Sequence, residues 1–345
     1  MMAQEKGWLE APEWADVQPV PQGDPEGNLV VQIEYSKDYV DATGVLRCLM
    51  ARQERSERAL WLTKKVIALN PAHYTAWQWR RECLEAKGAD LGAEMDWVNA
   101  LSLCGGSKNY QLWNHRRFLV QGIIGPLGSG PQRESAVETE LAFTHDVLVD
   151  EPKHYHAWAH RQWVVQEFSS WAGELAVCER FIDADVRNNS AWNHRYFCLN
   201  EPRGTGEPGA CVDEFGFCVK KLHEDIQNES AWNYLRALVF GHGGRGGGGA
   251  PGAEMQAQEG ELGSKLEQAC QWALEKDPYC SFAMSLLADL KLMQASSGGP
   301  GSKGMAQAAL DLWQQLVKVD PMRTPYWGLR ASEAQSLVLS FDLIG

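Results

Sequence analysis

The chain has 345 residues, of which 44% are hydrophobic and 22% are charged, and its net charge is −13 at pH 7. This length allows a large core or a long repeat array, and the hydrophobic fraction is ordinary for a soluble protein. The acidic balance disfavours nucleic acid and anionic membranes as partners, so a small anion would need a local cationic site.

The first 35 residues are rich in proline, glycine and acids, which predicts an extended leader over residues 1–35. No basic-then-apolar signal peptide opens the chain, and no apolar run approaches the roughly 20 residues that a membrane helix needs. The nine cysteines are scattered singly and are expected to be reduced thiols. These observations predict a cytoplasmic protein without a membrane span.

After the leader, the motif Tyr-x-x-Trp-x-x-Arg recurs. Its central residues are Trp77, Trp113 and Trp158, followed by the incomplete copies at Trp192 and Trp232. Spacings of roughly 35 to 45 residues are typical of stacked helical hairpins, each too small to bury its apolar face alone. The sequence therefore predicts an all-α repeat domain over residues 36–345, an α-α superhelix that is a right-handed solenoid of hairpins.

Flexible insertions are expected to interrupt the array at 202–209, 241–252 and 296–304, where glycine, proline or serine accumulate. Two later units, beginning near Asp277 and Asp320, are degenerate, and the second is expected to cap the array.

The second helix of each hairpin is predicted to begin a few residues before its tryptophan. Asn109, Asn188 and Asn228 stand where an N-cap would be, and an asparagine side chain there can accept from free backbone N–H groups. The tryptophans are predicted to pack in the core. The arginines three residues later are predicted to pair with acids of neighbouring helices, because a partly buried guanidinium needs a partner.

The turns that open the second helices carry side chains that differ between hairpins. The two central turns carry Lys108, Tyr110 and Gln111 in one case and Lys153, Tyr155 and His156 in the other. Together with the helix N-termini, this row of cations and phenols would favour a phosphate or diphosphate. The alternative is that the lysines are solvated surface residues and the tyrosines pack between repeats.

No metal site is predicted in this chain. His156 and His160 lie four residues apart, a spacing that can bind metal, but the His-Glu-x-x-His pattern is missing. The sequence also lacks a P-loop and a nucleophile elbow, and the glycine run at 241–249 is of low complexity.

Several strings occur in the order that the alpha subunits of heterodimeric protein prenyltransferases have. They cover residues 13–22, 55–59, 108–113, 155–164, 186–193 and 228–234. The chain specifically resembles the alpha subunit shared by farnesyltransferase and type I geranylgeranyltransferase. This resemblance implies a crescent of helical hairpins wrapped around a beta subunit, and a transferase that is active only as the heterodimer.

The resemblance also implies the reaction and its components. A farnesyl or geranylgeranyl group passes from its isoprenoid diphosphate to the cysteine of a C-terminal C-a-a-X motif in a protein substrate. The beta subunit, of farnesyltransferase or of geranylgeranyltransferase type I, would hold the catalytic zinc and bind the isoprenoid. Magnesium is expected for farnesyl transfer.

Three residues acquire catalytic roles through the resemblance. Lys108 would contact the diphosphate leaving group in the transition state, and Tyr155 and His156 would donate to the same diphosphate. His154 stands where the family usually has asparagine, and this departure is expected to alter how the turn is capped.

Three further residues acquire substrate-binding roles in the same way. Tyr110 would line the shared cleft, Gln111 would bind the C-terminal carboxylate of the C-a-a-X protein, and Tyr74 would border the peptide or product groove.

Two alternatives stay open. The alpha subunit of Rab geranylgeranyltransferase shares the repeat, but it typically carries extra domains that 345 residues cannot hold. A non-catalytic helical-repeat scaffold, similar to tetratricopeptide proteins, would bind peptides without chemistry. A scaffold has no reason to keep Lys108, Tyr110, Tyr155 and His156 together at these turns.

Overall fold

The computed structural model describes residues 7–23, 33–103, 106–200, 210–241 and 253–344, which form fifteen α-helices and no strand. The predicted all-α fold of helical hairpins is confirmed. The helices are α1 (Lys37–Ala51), α2 (Glu57–Leu69), α3 (Tyr74–Lys87), α4 (Leu91–Leu103), α5 (Tyr110–Ile124), α6 (Pro131–Asp150), α7 (Tyr155–Phe168), α8 (Glu174–Ala184), α9 (Asn189–Asn200), α10 (Ala210–Glu224), α11 (Glu229–Phe240), α12 (Ala253–Lys276), α13 (Ser281–Ser296), α14 (Ser302–Val319) and α15 (Thr324–Ile344).

The chain groups into two compact units, Met1–Ser170 and Trp171–Gly345. The division into a leader and one repeat domain stays a prediction. Of the predicted insertions, 202–209 and all of 241–252 except Gly241 lie outside the described residues. The third, 296–304, spans the last residue of α13, a short connection and the start of α14.

In the first unit, leader residues 7–23 form two short 3₁₀ turns that pack against α2. Trp14 is buried, and its ring centroid lies 5.7 Å from that of Trp61. Asp16 pairs with Arg58 at 2.7 Å. An aromatic contact and an ion pair therefore attach this part of the leader to the repeats.

Helices α2 to α7 of the first unit pair in sequence, α2 with α3, α4 with α5 and α6 with α7. Each helix turns one apolar face inward, as buried Leu62, Val66 and Trp77 do in the first pair. Gly88 ends α3 at φ +56°, a left-handed conformation that glycine adopts without strain. Because the pairs are alike, the turns between first and second helices are equivalent positions, and the predicted site residues lie there.

The second unit continues the same pattern, with α8 pairing with α9, α10 with α11, α12 with α13 and α14 with α15. Its last three helices bury a core that includes Met284, Leu310, Trp313 and Trp327. The two degenerate units predicted near Asp277 and Asp320 are therefore helical hairpins.

None of the helices in the described part of the chain is both long enough and apolar enough to cross a membrane. Among the described residues, seven cysteines are buried thiols: Cys48, Cys83, Cys178, Cys198, Cys218, Cys270 and Cys280.

Candidate functional site

The turn that opens each second helix is built by an N-cap side chain. Asn109, Asn188 and Asn228 accept from the backbone N–H two residues on, at 2.8 to 3.1 Å, which confirms the predicted caps. His73 and His154 cap their helices through ring Nδ1, each accepting from an N–H three residues on at 3.1 Å. An imidazole nitrogen thus replaces the asparagine oxygen at two turns.

Each repeat tryptophan is hydrogen bonded to the turn that precedes its helix. All five are buried, which confirms their predicted place in the core, and each indole Nε1 donates to the carbonyl six residues earlier. The bonds run from Trp77 to Pro71, Trp113 to Ser107, Trp158 to Pro152, Trp192 to Val186 and Trp232 to Ile226, between 2.6 and 2.9 Å. Each of these turns is therefore bonded to a buried side chain of the core.

Buried glutamates on the first helices join neighbouring hairpins. Arg116 of α5 donates to both oxygens of Glu140 on α6 at 2.6 and 2.7 Å, and His160 of α7 contacts the same carboxylate at 2.7 Å. Burial opposes ionisation of Glu140, but the hydrogen bonds of His160 and Arg116 outweigh it and lower its pKa to about 2. Arg80 with Glu94 and Arg195 with Glu214 repeat the pair, which confirms the predicted acid partners.

These glutamates were not identified from the sequence. Each stands 20 or 21 residues before the histidine or tyrosine that contacts it, and this spacing is the signal that locates them. The pairs are Glu94 with His115, Glu140 with His160, Glu174 with His194 and Glu214 with Tyr234.

Four of the six predicted site residues meet at two neighbouring turns of the first unit. Tyr110 begins α5, and Tyr155 and His156 begin α7. The Tyr110 ring meets the His156 ring edge-on at 4.2 Å between centroids and lies 6.4 Å from the Tyr155 ring. Lys108 ends the 3₁₀ turn before α5, two residues ahead of Tyr110. The structure therefore brings ammonium, phenols and imidazole together.

These four groups face solvent. Tyr110 and Tyr155 are each 67% exposed, and the Lys108 side chain is 68% exposed. His156 is half-buried because its ring stacks on buried Trp113 at 6.4 Å. Burial, followed by the neighbouring His154, lowers the pKa of His156, which favours the neutral imidazole with one N–H to donate.

Lys108 already has a counter-ion. Its ammonium lies 2.9 Å from the carboxylate of Glu151, the residue that follows α6. The hydrogen bond from Lys108 lowers the pKa of the Glu151 carboxyl. Glu151 was not identified as a site residue from the sequence.

Gln111 and Tyr74 stand at the edges of this cluster. Gln111 is the second residue of α5, and Tyr74, which is 71% exposed, begins α3. Asn109 ties the two turns together, since its Nδ2 donates to Pro71 O at 2.7 Å. Within the described ranges, no side-chain hydrogen bond or ring contact joins Gln111 or Tyr74 to the other four residues.

Among the described residues of the second unit, one group of side chains has the chemistry of metal ligands. Glu174, His194 and Cys198 approach one another, with the histidine 2.8 Å from the carboxylate and 3.7 Å from the thiol. All three are buried, and the histidine–glutamate pair is the structural contact of the other hairpins. The contact between His194 and Glu174 is therefore a structural contact of the repeat, and Cys198 lies one helical turn from the histidine.

Comparisons with known proteins agree with this architecture. The model of the protein prenyltransferase alpha subunit repeat matches residues 57–87, 93–123, 137–168, 171–202 and 211–241, which are the five hairpins from α2 to α11. The farnesyltransferase/geranylgeranyltransferase type-1 subunit alpha of Pisum sativum is 34% identical over 334 residues, covering 93% of this chain and 93% of the relative.

A solved structure from Candida albicans, a protein geranylgeranyltransferase-I complexed with GGPP, is similar with a TM-score of 0.72. It is 28% identical, and the match covers 92% of this chain and 97% of that one. A geranylgeranyl transferase type-2 subunit alpha from Rattus norvegicus is 38% identical over only 89 residues, 25% of this chain and 15% of the relative. The type-2 (Rab) alternative and the scaffold alternative are therefore less supported, and the chain belongs to the family of protein prenyltransferase alpha subunits.

Proposed function

We propose that this chain, paired with a beta subunit of farnesyltransferase or geranylgeranyltransferase type I, transfers a farnesyl or geranylgeranyl group to the cysteine of C-a-a-X proteins in the cytoplasm. Zinc, bound by the beta subunit, would hold the cysteine of the protein substrate as a thiolate. Magnesium would assist farnesyl transfer. In this chain, the described metal-ligand group Glu174, His194 and Cys198 is buried and internally bonded.

The single observation that carries the proposal is the cluster of Lys108, Tyr110, Tyr155 and His156 on one exposed surface. In the reaction, the thiolate sulfur forms a bond to carbon 1 of the isoprenoid as the bond from that carbon to the diphosphate oxygen breaks. The electron pair leaves with the diphosphate, which gains negative charge. Donors fixed in place before the reaction stabilise that charge more in the transition state than in the ground state.

Each residue of the cluster has a distinct part in the proposal. Lys108 supplies a full positive charge, and Tyr155 and His156 supply neutral N–H or O–H donors. Tyr110 lines the cleft and orients His156 through their edge-on ring contact.

Two residues beside the cluster would contact the protein substrate. Gln111, one residue along α5 from Tyr110, would bind the C-terminal carboxylate of the C-a-a-X motif. Tyr74, exposed at the start of α3, would border the peptide or product groove.

Replacing the ammonium tests the proposal. We expect Lys108→Ala in the reconstituted heterodimer to slow the chemical step by about 10²–10³-fold, the scale for one lost electrostatic donor, with a smaller change in substrate binding. Single-turnover kinetics measure the chemical step directly.

Lys87→Ala is the matched control. Lys87 also forms an exposed ion pair, with Glu57 at 3.2 Å, but it lies at the far end of α3 from the turns. A Lys108→Ala enzyme with the same single-turnover rate as the wild type would refute the proposal.

A further inference from the structure

One turn position has the same task in four hairpins. The residue three before the N-cap is Asn or Asp, and its side-chain oxygen accepts from the backbone N–H two residues on. These bonds run to Asn70 from Ala72, to Asp185 from Arg187, to Asp225 from Gln227 and to Asp277 from Tyr279, between 2.9 and 3.1 Å. Such a short side chain closes its own turn. It can still contact a neighbouring turn, as Asp225 does in its ion pair with Arg187.

Glu151 occupies this position in the hairpin of α6 and α7. It is one methylene longer than aspartate, and its carboxylate forms an ion pair with Lys108 at 2.9 Å. Its main chain is fixed, because its N–H donates to Val147 O and its carbonyl accepts from His154 N, both at 3.0 Å. The carboxylate is therefore tethered beside the ammonium.

We propose that Glu151 is a tethered counter-ion that occupies Lys108 when the site is empty and competes with diphosphate for it. This inference rests on the proposed function of Lys108. An arriving diphosphate displaces the carboxylate, and the carboxylate takes Lys108 back as the diphosphate leaves. Glu151 thus acts through Lys108 as a positioning residue, and it favours release of the diphosphate product.

Two physical effects give this competition its direction. Breaking the Lys108–Glu151 pair costs little, because both side chains are exposed, at 68% and 45%. A carboxylate that stays near the site also repels a multiply charged anion, and free diphosphate carries more charge than the bound ester. The effect should therefore be larger for inorganic diphosphate than for the isoprenoid diphosphate.

The test measures product inhibition of the heterodimer by inorganic diphosphate. Glu151→Gln keeps the length and removes the charge, and its inhibition constant should fall by about threefold to tenfold. Glu151→Asp keeps the charge, and the Asp225–Arg187 pair shows that an aspartate at the equivalent position can contact the cation of the preceding turn. The inhibition constant of Glu151→Asp should therefore lie nearer to that of the wild type than the constant of Glu151→Gln does. In Glu151→Gln, the KM for the C-a-a-X peptide should change less than the inhibition constant.

Asp225→Asn is the matched control. Asp225 holds the equivalent turn position in the second unit and pairs with Arg187. Its inhibition constant should equal that of the wild type. In a Lys108→Ala background, Glu151→Gln should have no further effect, because the competition acts through the ammonium.

The outcomes separate the two claims. If Lys108→Ala slows the chemical step but Glu151→Gln leaves the inhibition constant unchanged, the inference is wrong and the proposed function stands. If Glu151→Gln acts equally with and without Lys108, the carboxylate acts by general repulsion and the inference is also wrong. If Lys108→Ala leaves the chemical step unchanged, the proposed function itself fails.

Discussion

At the scale of single residues, His154 explains how a departure from the family pattern is accommodated. Its Nδ1 accepts from Ala157 N and so does the work of the usual asparagine. An accepting Nδ1 places the ring proton of the neutral imidazole on Nε2, which is buried and has no hydrogen-bond partner among the described residues. Burial lowers the pKa of His154, which agrees with a neutral ring.

Replacing this histidine should change the site through its neighbour. His154→Asn retains the cap acceptor and removes a buried N–H without a partner, so we expect an unchanged or slightly higher midpoint of thermal unfolding. The pKa of His156 should rise towards its ordinary value, because burial stays but the neighbouring His154 no longer disfavours the imidazolium.

NMR titration with labelled histidine measures this pKa. His73→Asn makes the same cap exchange at the turn before α3 and should leave the pKa of His156 where it is. A pKa of His156 that stays constant or falls in His154→Asn would contradict this account.

At the scale of helices, the N-cap asparagines do two tasks at once. Asn228 accepts from Ser230 N at the start of α11, and its Nδ2 donates to Val186 O in the preceding turn at 2.6 Å. Asn109 makes the same pair of contacts with Gln111 N and Pro71 O. Each cap therefore also joins successive hairpins.

This double task predicts a larger cost than a cap alone. Asn228→Ala should lower the free energy of unfolding by about 2 kcal/mol, about half from the cap and half from the buried hydrogen bond. Ser36→Ala is the control, because exposed Ser36 caps α1 through Tyr39 N alone and should cost roughly half as much. Denaturant titration compares the two variants, and equal losses would show that the bond between hairpins contributes nothing.

The helices and caps could be predicted from the sequence because tryptophan and asparagine recur at fixed spacings. The buried partners could not, since Glu140 looks like any helical acid until its spacing to His160 is compared between hairpins. The Lys108–Glu151 pair was missed for a similar reason, because an acid before a proline predicts only a turn. Periodicity predicts which residues lie at equivalent turns. The pairing of individual atoms can be known only from the folded chain.

At the scale of the whole molecule, the proposed site is a small cluster on an acidic chain, and this limits the anions that the chain can bind alone. The net charge is −13, and the Lys108 ammonium is neutralised by Glu151. A free multivalent anion would therefore meet a site with little net positive charge on a repulsive surface. The cluster can contribute to transfer only if a partner binds the isoprenoid diphosphate and presents it there.

This limitation leads to a prediction for the isolated chain. Expressed alone, it should transfer no prenyl group to a C-a-a-X peptide, and co-expression with a beta subunit should restore transfer. Co-purification with each candidate beta subunit, followed by assays with both farnesyl and geranylgeranyl diphosphate, identifies the partner and the isoprenoid. The Lys108→Ala chain is the control, since an exposed side chain at a turn should not prevent assembly even though the chemistry slows. Robust transfer by the isolated chain would mean that it binds the isoprenoid and activates the thiol itself, which contradicts the role of an alpha subunit.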